Sequence, residues 1–300
     1  MLALHIAVFL FGLAGVLGKF LTVPSTAIVL SRTAIGALVL APVVYARVAK
    51  REVLSRAVIA LIPSGALLAF HWFTFFYAIQ LSSVATGLLS YATFPIFVVF
   101  IEPLVLMSSK NRSKGDGSRA GIHKRDLLNA LLVAIGLVLV IPSYDFNDRF
   151  FRGILWGILS AFSFALLTVL NRRTVAGVNP LAIGLFQNLW AAVCLSPFYA
   201  PLLALSATEL VTIVILGLFC TALAHTLFID ALASVRPQLA SVTAALEPVY
   251  GIILGLLVLG EVPTSREIVG GFFIIGVVAA SSWSSNPGPT ASSLSQSVHN

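Results

Sequence analysis

The chain has 300 residues, 59% of them hydrophobic and only 10% charged, with a mean hydropathy of +1.02. A soluble domain is usually ~25% charged, and a soluble fold of this length cannot hide so much apolar surface. A soluble enzyme, a disordered chain and a nucleic-acid-binding domain are excluded, and the net charge of +7 becomes a statement about orientation in a membrane rather than about an acidic partner.

A helix crossing a ~30 Å hydrocarbon core needs ~20 mostly apolar residues. Such runs predict ten spans, near 2–21, 26–46, 57–79, 84–107, 126–142, 153–170, 180–201, 208–229, 237–259 and 267–283. The expected fold is an all-α polytopic membrane protein, because an open sheet cannot survive in lipid. The first span reads as a retained helix rather than a cleaved leader, since no basic residue precedes its apolar stretch and Lys19 stands at its far end. Gly12, Gly15 and Gly18 in it mark close helix contact, as do Gly153 and Gly157 in the sixth span and Gly251 and Gly255 in the ninth.

Arg32 lies a few residues into the second span. With Lys19 it is a candidate for binding a substrate carboxylate at the outer mouth; the other reading is a partner acid or carbonyl that locks the helix. His71 sits in mid-span of the third helix among Trp72, Phe73, Phe75, Phe76 and Tyr77, a composition that suits an aromatic or amphipathic metabolite. Tyr91, Pro95 and Glu102 share a face of the fourth span. The polar insert 108–125 is read as a basic anchor on one side of the membrane. His225 in the eighth span, with Thr221 and Phe228 on its face, is read first as an interhelical hydrogen-bonding residue.

Glu247 falls near the bilayer midplane, immediately before Pro248. A charged carboxylate there costs ~2.5–3.5 kcal/mol on insertion scales, so it is protonated, paired or facing water. It is a candidate proton carrier or contact for a cationic ligand group, with Thr243, Tyr250 and Leu254 on the same helical face; a structural acid bonded to freed backbone is the other reading. Residues 284–300 are Ser- and Pro-rich and are expected to be disordered. Cys194 and Cys220 lie inside apolar runs, which excludes a disulfide scaffold, and no HxxxH or CxxC spacing exists, so no metal and no cofactor is expected.

One set of alternate loops carries Arg47, Lys50, Arg51, Arg56, Lys110, Arg112, Lys114, Arg119, Lys124, Arg125, Arg172, Arg173 and Arg236. The other carries Lys19, Arg149, Arg152 and Arg266. The richer side is expected to be cytoplasmic, with both termini on it, in a multi-pass protein of the cell membrane.

The two halves resemble each other. Shifting 27–42 by 155 and 78–108 by 153 brings Pro42 onto Pro197 and Pro95 onto Pro248. Residues 1–142 and 143–283 therefore read as two five-helix repeats. Five is odd, so the second enters the bilayer from the opposite face, an arrangement used by transporters. Pro95 and Pro248 interrupt corresponding spans, and paired breaks are the best sequence pointer to a transporter's substrate site.

The stretch AALEPVYGIILGLLVLGEVPTSREIVGGFFIIGVV at 244–278, with Glu247-Pro248 and Gly260-Glu261, and the opening FGLAGVLGK at 11–19 followed by Arg32, resemble the drug/metabolite transporter superfamily, EamA type. In the first repeat Phe94-Pro95 and Met107-Ser108 stand where the second has Glu-Pro and Gly-Glu. The resemblance implies a secondary carrier of small metabolites, often an exporter of amino acids or related compounds, with a central cavity between helices that include the third, fourth, eighth and ninth. The candidate lining is His71, Trp72, Tyr91, Pro95, His225, Thr243, Glu247 and Tyr250. The expected partners are a small-molecule metabolite and the lipid bilayer, with no nucleic acid; a homodimer is compatible. No enzyme activity is expected, because no nucleophile with a base and no metal set converges at depth. A membrane-embedded enzyme and a passive exchanger without ion coupling are the alternatives weighed.

Overall fold

In the computed structural model the described residues are 2–50, 60–107, 124–141, 144–235 and 237–283. They form α1 (Leu2–Phe20), α2 (Ser25–Arg47), α3 (Ile62–Leu81), α4 (Val84–Tyr91), α5 (Phe94–Met107), α6 (Lys124–Val140), α7 (Arg149–Thr174) and α8 (Pro180–Leu195). After two short 3₁₀ turns come α9 (Ala207–Gly217), a π-helical turn (Leu218–Leu223), α10 (Ala224–Ser234), α11 (Pro237–Ala244), α12 (Glu247–Leu259) and α13 (Ser265–Trp283). No strand occurs among the described residues. Most of the insert 108–125, the tail 284–300, and Arg51, Arg56 and Arg236 lie outside them.

Among the described residues seven helical stretches are long and apolar enough to cross a membrane: Leu2–Phe20, Ser25–Arg47, Ile62–Leu81, Val84–Val105, Arg149–Thr174, Pro180–Phe198 and Ala207–Ser234. Leu131–Val140 and Glu247–Leu259 are shorter apolar helices. The protein is thus a multi-pass membrane protein. Large apolar side chains such as Leu38, Leu104, Leu257 and Phe272 are well exposed on the bundle's outside, where lipid replaces water as their neighbour.

Polar side chains set the helix ends. Ser83 caps α4 by accepting from Thr86 N, and Asp148 caps α7 by accepting from Phe150 N at 2.6 Å and Phe151 N at 3.3 Å. Asn179 precedes Pro180 at the first turn of α8 and accepts from Leu181 N. Ser206 and Glu209 form a reciprocal capping box on α9. Gly260 ends α12 with φ of +67°, a left-handed conformation that Gly adopts without strain. Asp148 also explains why α7 begins ahead of the apolar run at 153: its carboxylate satisfies the orphan N–H groups of an extra turn that carries Arg149 and Arg152.

The fourth and ninth expected spans are each two helices. The fourth breaks at Ala92–Thr93 and the ninth at Ala245–Leu246. Thr93 N bonds Ser90 O and Ile96 N bonds Thr93 O; Leu246 N bonds Thr243 O and Val249 N bonds Leu246 O. The second pair repeats the first at a shift of 153. In both, Pro stands in the first turn after the break, where its missing N–H costs nothing. The single faces expected for Tyr91, Pro95 and Glu102, and for Thr243, Glu247, Tyr250 and Leu254, are therefore interrupted, because each break reorients the following helix.

Helix α1 packs on α12 and α10, while α7 packs on α3, α4 and α5; α2 lies on α8 and α6 on α13. Small residues permit the tightest crossings. A Cβ on Gly12 of α1 would stand 3.0 Å from Glu247 O and from Gly251 N of α12. At the middle of the bundle Phe11, Phe75, Phe76, Tyr91, Phe164 and Phe228 form one buried aromatic cluster.

Candidate functional site

Inside that cluster lies a small cavity lined by Phe11, Ala14, Arg32, His71, Trp72, Phe75, Tyr91, Phe164 and Glu247. It has room for about one water molecule, about 10 Å³. None of the nine is more than 7% exposed. Six helices supply them: α1, α2, α3, α4, α7 and α12.

Arg32 and Glu247 bring a basic and an acidic side chain to this apolar surround, each 1% exposed. Their surroundings differ. Arg32 Nε donates to Thr221 Oγ1 at 2.7 Å and Nη2 donates to Cys220 O at 2.7 Å. Its guanidinium carbon sits 4.0 Å from the ring centre of Trp72 and 5.0 Å from that of Phe76. The π-helical turn creates the docking point. There the Thr221 hydroxyl donates to Leu216 O, five residues back, at 2.9 Å. A π turn displaces carbonyls from the ordinary ladder, which suits Cys220 O to receive Arg32. Glu247 has no comparable setting: its Oε2 is buried and has no hydrogen-bond partner. A buried carboxylate oxygen without a donor is costly, and such groups concentrate where a proton, water or ligand belongs.

His71 Nδ1 stands 3.2 Å from Ser160 O and 3.0 Å from Ser160 Oγ, and its ring stacks on Phe164 with 4.6 Å between centroids. Tyr91 stacks on Phe94 at 5.4 Å, the last residue before and the first after the break in the fourth span. The site thus gathers His71, Trp72, Tyr91, Glu247 and Arg32 from the sequence candidates.

The remaining candidates lie elsewhere. Pro95 is one turn beyond Tyr91, outside the lining. Thr243 donates to Leu239 O at 3.0 Å, before the break. Tyr250 faces α1, edge-on to Phe9 at 5.6 Å. His225 is one shell out: its ring meets Trp72 at 5.3 Å and Nε2 lies 3.1 Å from Gln187 Oε1, while Gln187 Nε2 donates to Asn171 Oδ1 at 2.6 Å. Lys19 is engaged at a helix end, with Nζ donating to Ile79 O at 2.9 Å and to Ser82 O. Arg32 is buried at the cavity wall and binds a carbonyl and a hydroxyl rather than an acid.

Sequence reading missed Thr221 as the residue that fixes Arg32, and missed the Asn171–Gln187–His225 chain. The signal available was their polarity within apolar runs: Asn171, Gln187 and Thr221 are at most 2% exposed. It also missed Glu267, which accepts from Ser83 Oγ at 2.8 Å, Thr86 Oγ1 at 2.6 Å and Thr264 N at 2.7 Å, tying α13 to the start of α4. Glu261, beside the left-handed Gly260, accepts from Val84 N at 2.8 Å at the same corner. Among the described residues no group of three His, Cys, Asp or Glu could hold a metal ion.

Comparisons with known proteins agree with this architecture. A protein of Archaeoglobus fulgidus described as an uncharacterized transporter is 27% identical over 204 residues, covering 68% of this chain and 69% of its own length. An uncharacterized transporter of Bacillus subtilis is 23% identical over 220 residues, covering 72% of this chain and 67% of its own. One crystal structure superposes with a TM-score of 0.67 at 19% identity, covering 94% of this chain and 96% of that one, so the fold is shared. These relatives point to a transporter rather than an enzyme. The model of the EamA-like transporter family matches residues 1–114 and 151–283, nearly the whole described chain, and the protein therefore belongs to that family.

Proposed function

We propose that the protein is a secondary transporter that exports small metabolites, such as amino acids or related compounds, across the cell membrane by alternating access. The observation that carries this reading is the central cavity, lined by buried residues, in which Glu247 keeps an unpartnered buried oxygen beside an anchored Arg32. A buried pocket with polar groups, lined by helices of both halves, suits such a carrier. Residues 1–142 and 143–283 act as two oppositely inserted five-helix repeats. The shared backbone pattern of their breaks, offset by 153, supports this pairing. So does the exchange of partners, with α1 on α12 and α7 on α5.

In this reading Trp72, Tyr91 and His71 form the wall against an apolar or aromatic substrate body. Glu247 carries the coupling proton or meets a cationic group, and Arg32 supplies the fixed positive charge. Pro95 and Pro248 keep the breaks open, while Thr243, Tyr250 and His225 support the lining from behind. The termini face the cytoplasm, on the side of the Lys- and Arg-rich loops.

The test begins with a thermal-shift screen of purified protein against amino acids and related metabolites, since a ligand of the folded state raises Tm. Each hit is then loaded into vesicles containing the protein. Efflux faster than from protein-free vesicles, and dependent on an imposed pH gradient, is the expected result. Equal efflux from both kinds of vesicle for every hit defeats the reading.

A further inference from the structure

Lys19 closes α1 onto the end of α3, where Nζ donates to Ile79 O at 2.9 Å and to Ser82 O. Arg172 does the same for α7 and α10, with Nη1 donating to Leu232 O at 2.6 Å and to Ala233 O at 2.8 Å. The two cations are 153 residues apart in sequence, and so are the two carbonyls Ile79 and Leu232. This is the shift that superposes the two helix breaks. One contact therefore occurs twice, once in each half.

The two contacts lie at opposite ends of the bundle. Arg149, in the first turn of α7, donates to Leu81 O at 2.8 Å and Gln80 O at 3.1 Å. The start of α7 is thus beside Lys19. Helical rise of ~1.5 Å per residue then puts Arg172 roughly 35 Å away along the axis. Each cation neutralises the negative end of a helix dipole and satisfies carbonyls that the helix itself leaves open.

We propose that Lys19 and Arg172 are paired latches, each holding a helical hairpin corner closed at one end of the bundle, α3–α4 for Lys19 and α10–α11 for Arg172. Release of one latch admits solvent to the central cavity from that end only. The seam beneath the Lys19 latch is tight: a Cβ on Gly15 would stand 3.3 Å from Ile79 and 3.4 Å from Leu88, and one on Gly18 would meet the Phe76 ring at 2.2 Å. The same seam runs down to Ala14 and Phe75 at the cavity wall. Parting α1 from α3 and α4 therefore opens a path from that end to the site. The inference rests on the alternating-access reading and adds the residues that gate it.

The experiment measures solvent access, with no substrate needed. The Ala14→Cys reporter is placed in the cavity wall in a Cys194→Ser, Cys220→Ser background, and oriented vesicles receive a membrane-impermeant maleimide from one face at a time. Lys19→Met, which removes both hydrogen bonds, is expected to raise labelling about tenfold or more from the face where Lys19 lies and not from the other, at least the change for losing one charge-assisted hydrogen bond. Arg172→Met is expected to do the same from the opposite face. Lys19→Arg and Arg172→Lys, which keep the charge, should return labelling to the parent level and show that the fold is intact. A rise from the same face for both variants, a rise for only one, no rise for either, or no rescue by the charge-keeping variants overturns the proposal. Labelling that behaves as expected while no solute moves would sink the transporter reading and leave the latches standing.

Discussion

The guanidinium of Arg32 lies 4.0 Å over the ring of Trp72, two charged or aromatic groups from neighbouring helices fixed face to face in the middle of the bundle. The stacking is completed by the hydrogen bonds to Thr221 and Cys220, so that planarity, charge and two donor directions are all used at once. Lysine has the charge and lacks the rest.

Arg32→Lys is accordingly expected to lower stability by about 3 kcal/mol, from the lost stacking and one lost charge-assisted hydrogen bond. Thermal unfolding of purified protein reads this directly. A melting temperature equal to that of the parent would mean that the guanidinium geometry is idle.

Replacing the carboxyl of Glu247 by an amide tests the proposal that it carries the coupling proton. Glu247→Gln is expected to cut pH-driven accumulation about tenfold or more while exchange of substrate across the membrane continues, since removing one step need not remove binding. Counterflow and gradient-driven uptake, compared in the same vesicles, separate the two. An unaltered response to the pH gradient would assign the proton elsewhere.

The prolines after the breaks are expected to matter more for rate than for folding. Alanine at Pro95 or Pro248 restores an N–H that can reach back across the turn, and a helix that heals over 92–93 or 245–246 shifts Tyr91 or Glu247 from the cavity wall. Pro95→Ala and Pro248→Ala should each slow transport severalfold at near-parental expression. Parental turnover in both would make the breaks independent of proline.

Glu267 holds the start of α4 through the Ser83 and Thr86 hydroxyls, and accepts from Thr264 N and Thr264 Oγ1 just before its own helix. Glu267→Ala leaves these donors half-buried without an acceptor and is expected to cost about 2–4 kcal/mol. Glu267→Gln keeps one acceptor oxygen and should cost less. The order of the two melting temperatures is the check, and an alanine variant as stable as the parent would dismiss the tie.

Much of this was legible in the sequence because lipid punishes exposed backbone. Long apolar runs have one stable outcome, which is why the helices of α1, α2, α3 and α7 fall where hydropathy puts them. Proline is equally plain, and Pro95 and Pro248 led to both breaks. What the chain order conceals is which polar residue answers which. Lys19 reads as an anion-binding cation until the carbonyls of Ile79 and Ser82 are seen beside it. Gln187 and Asn171, neighbours across two helices, carry no mutual signature in one sequence. The π-helical turn at Leu218–Leu223 has no proline to announce it, and it shows itself in the placing of Arg32. The continuous faces drawn through Thr243, Glu247 and Tyr250 failed for a related reason: a helical wheel assumes an unbroken axis.

Helix α7 carries Arg149 at one end and Arg172 at the other, with 26 residues in all. Each turn holds 3.6 residues, so one residue inserted between them would swing one arginine about 100° around the axis relative to the other and lengthen the rod by ~1.5 Å. Both carbonyl targets could not then be met together. The spacing of this helix consequently fixes a phase as well as a length, and substitutions along it should be borne far better than a single insertion or deletion.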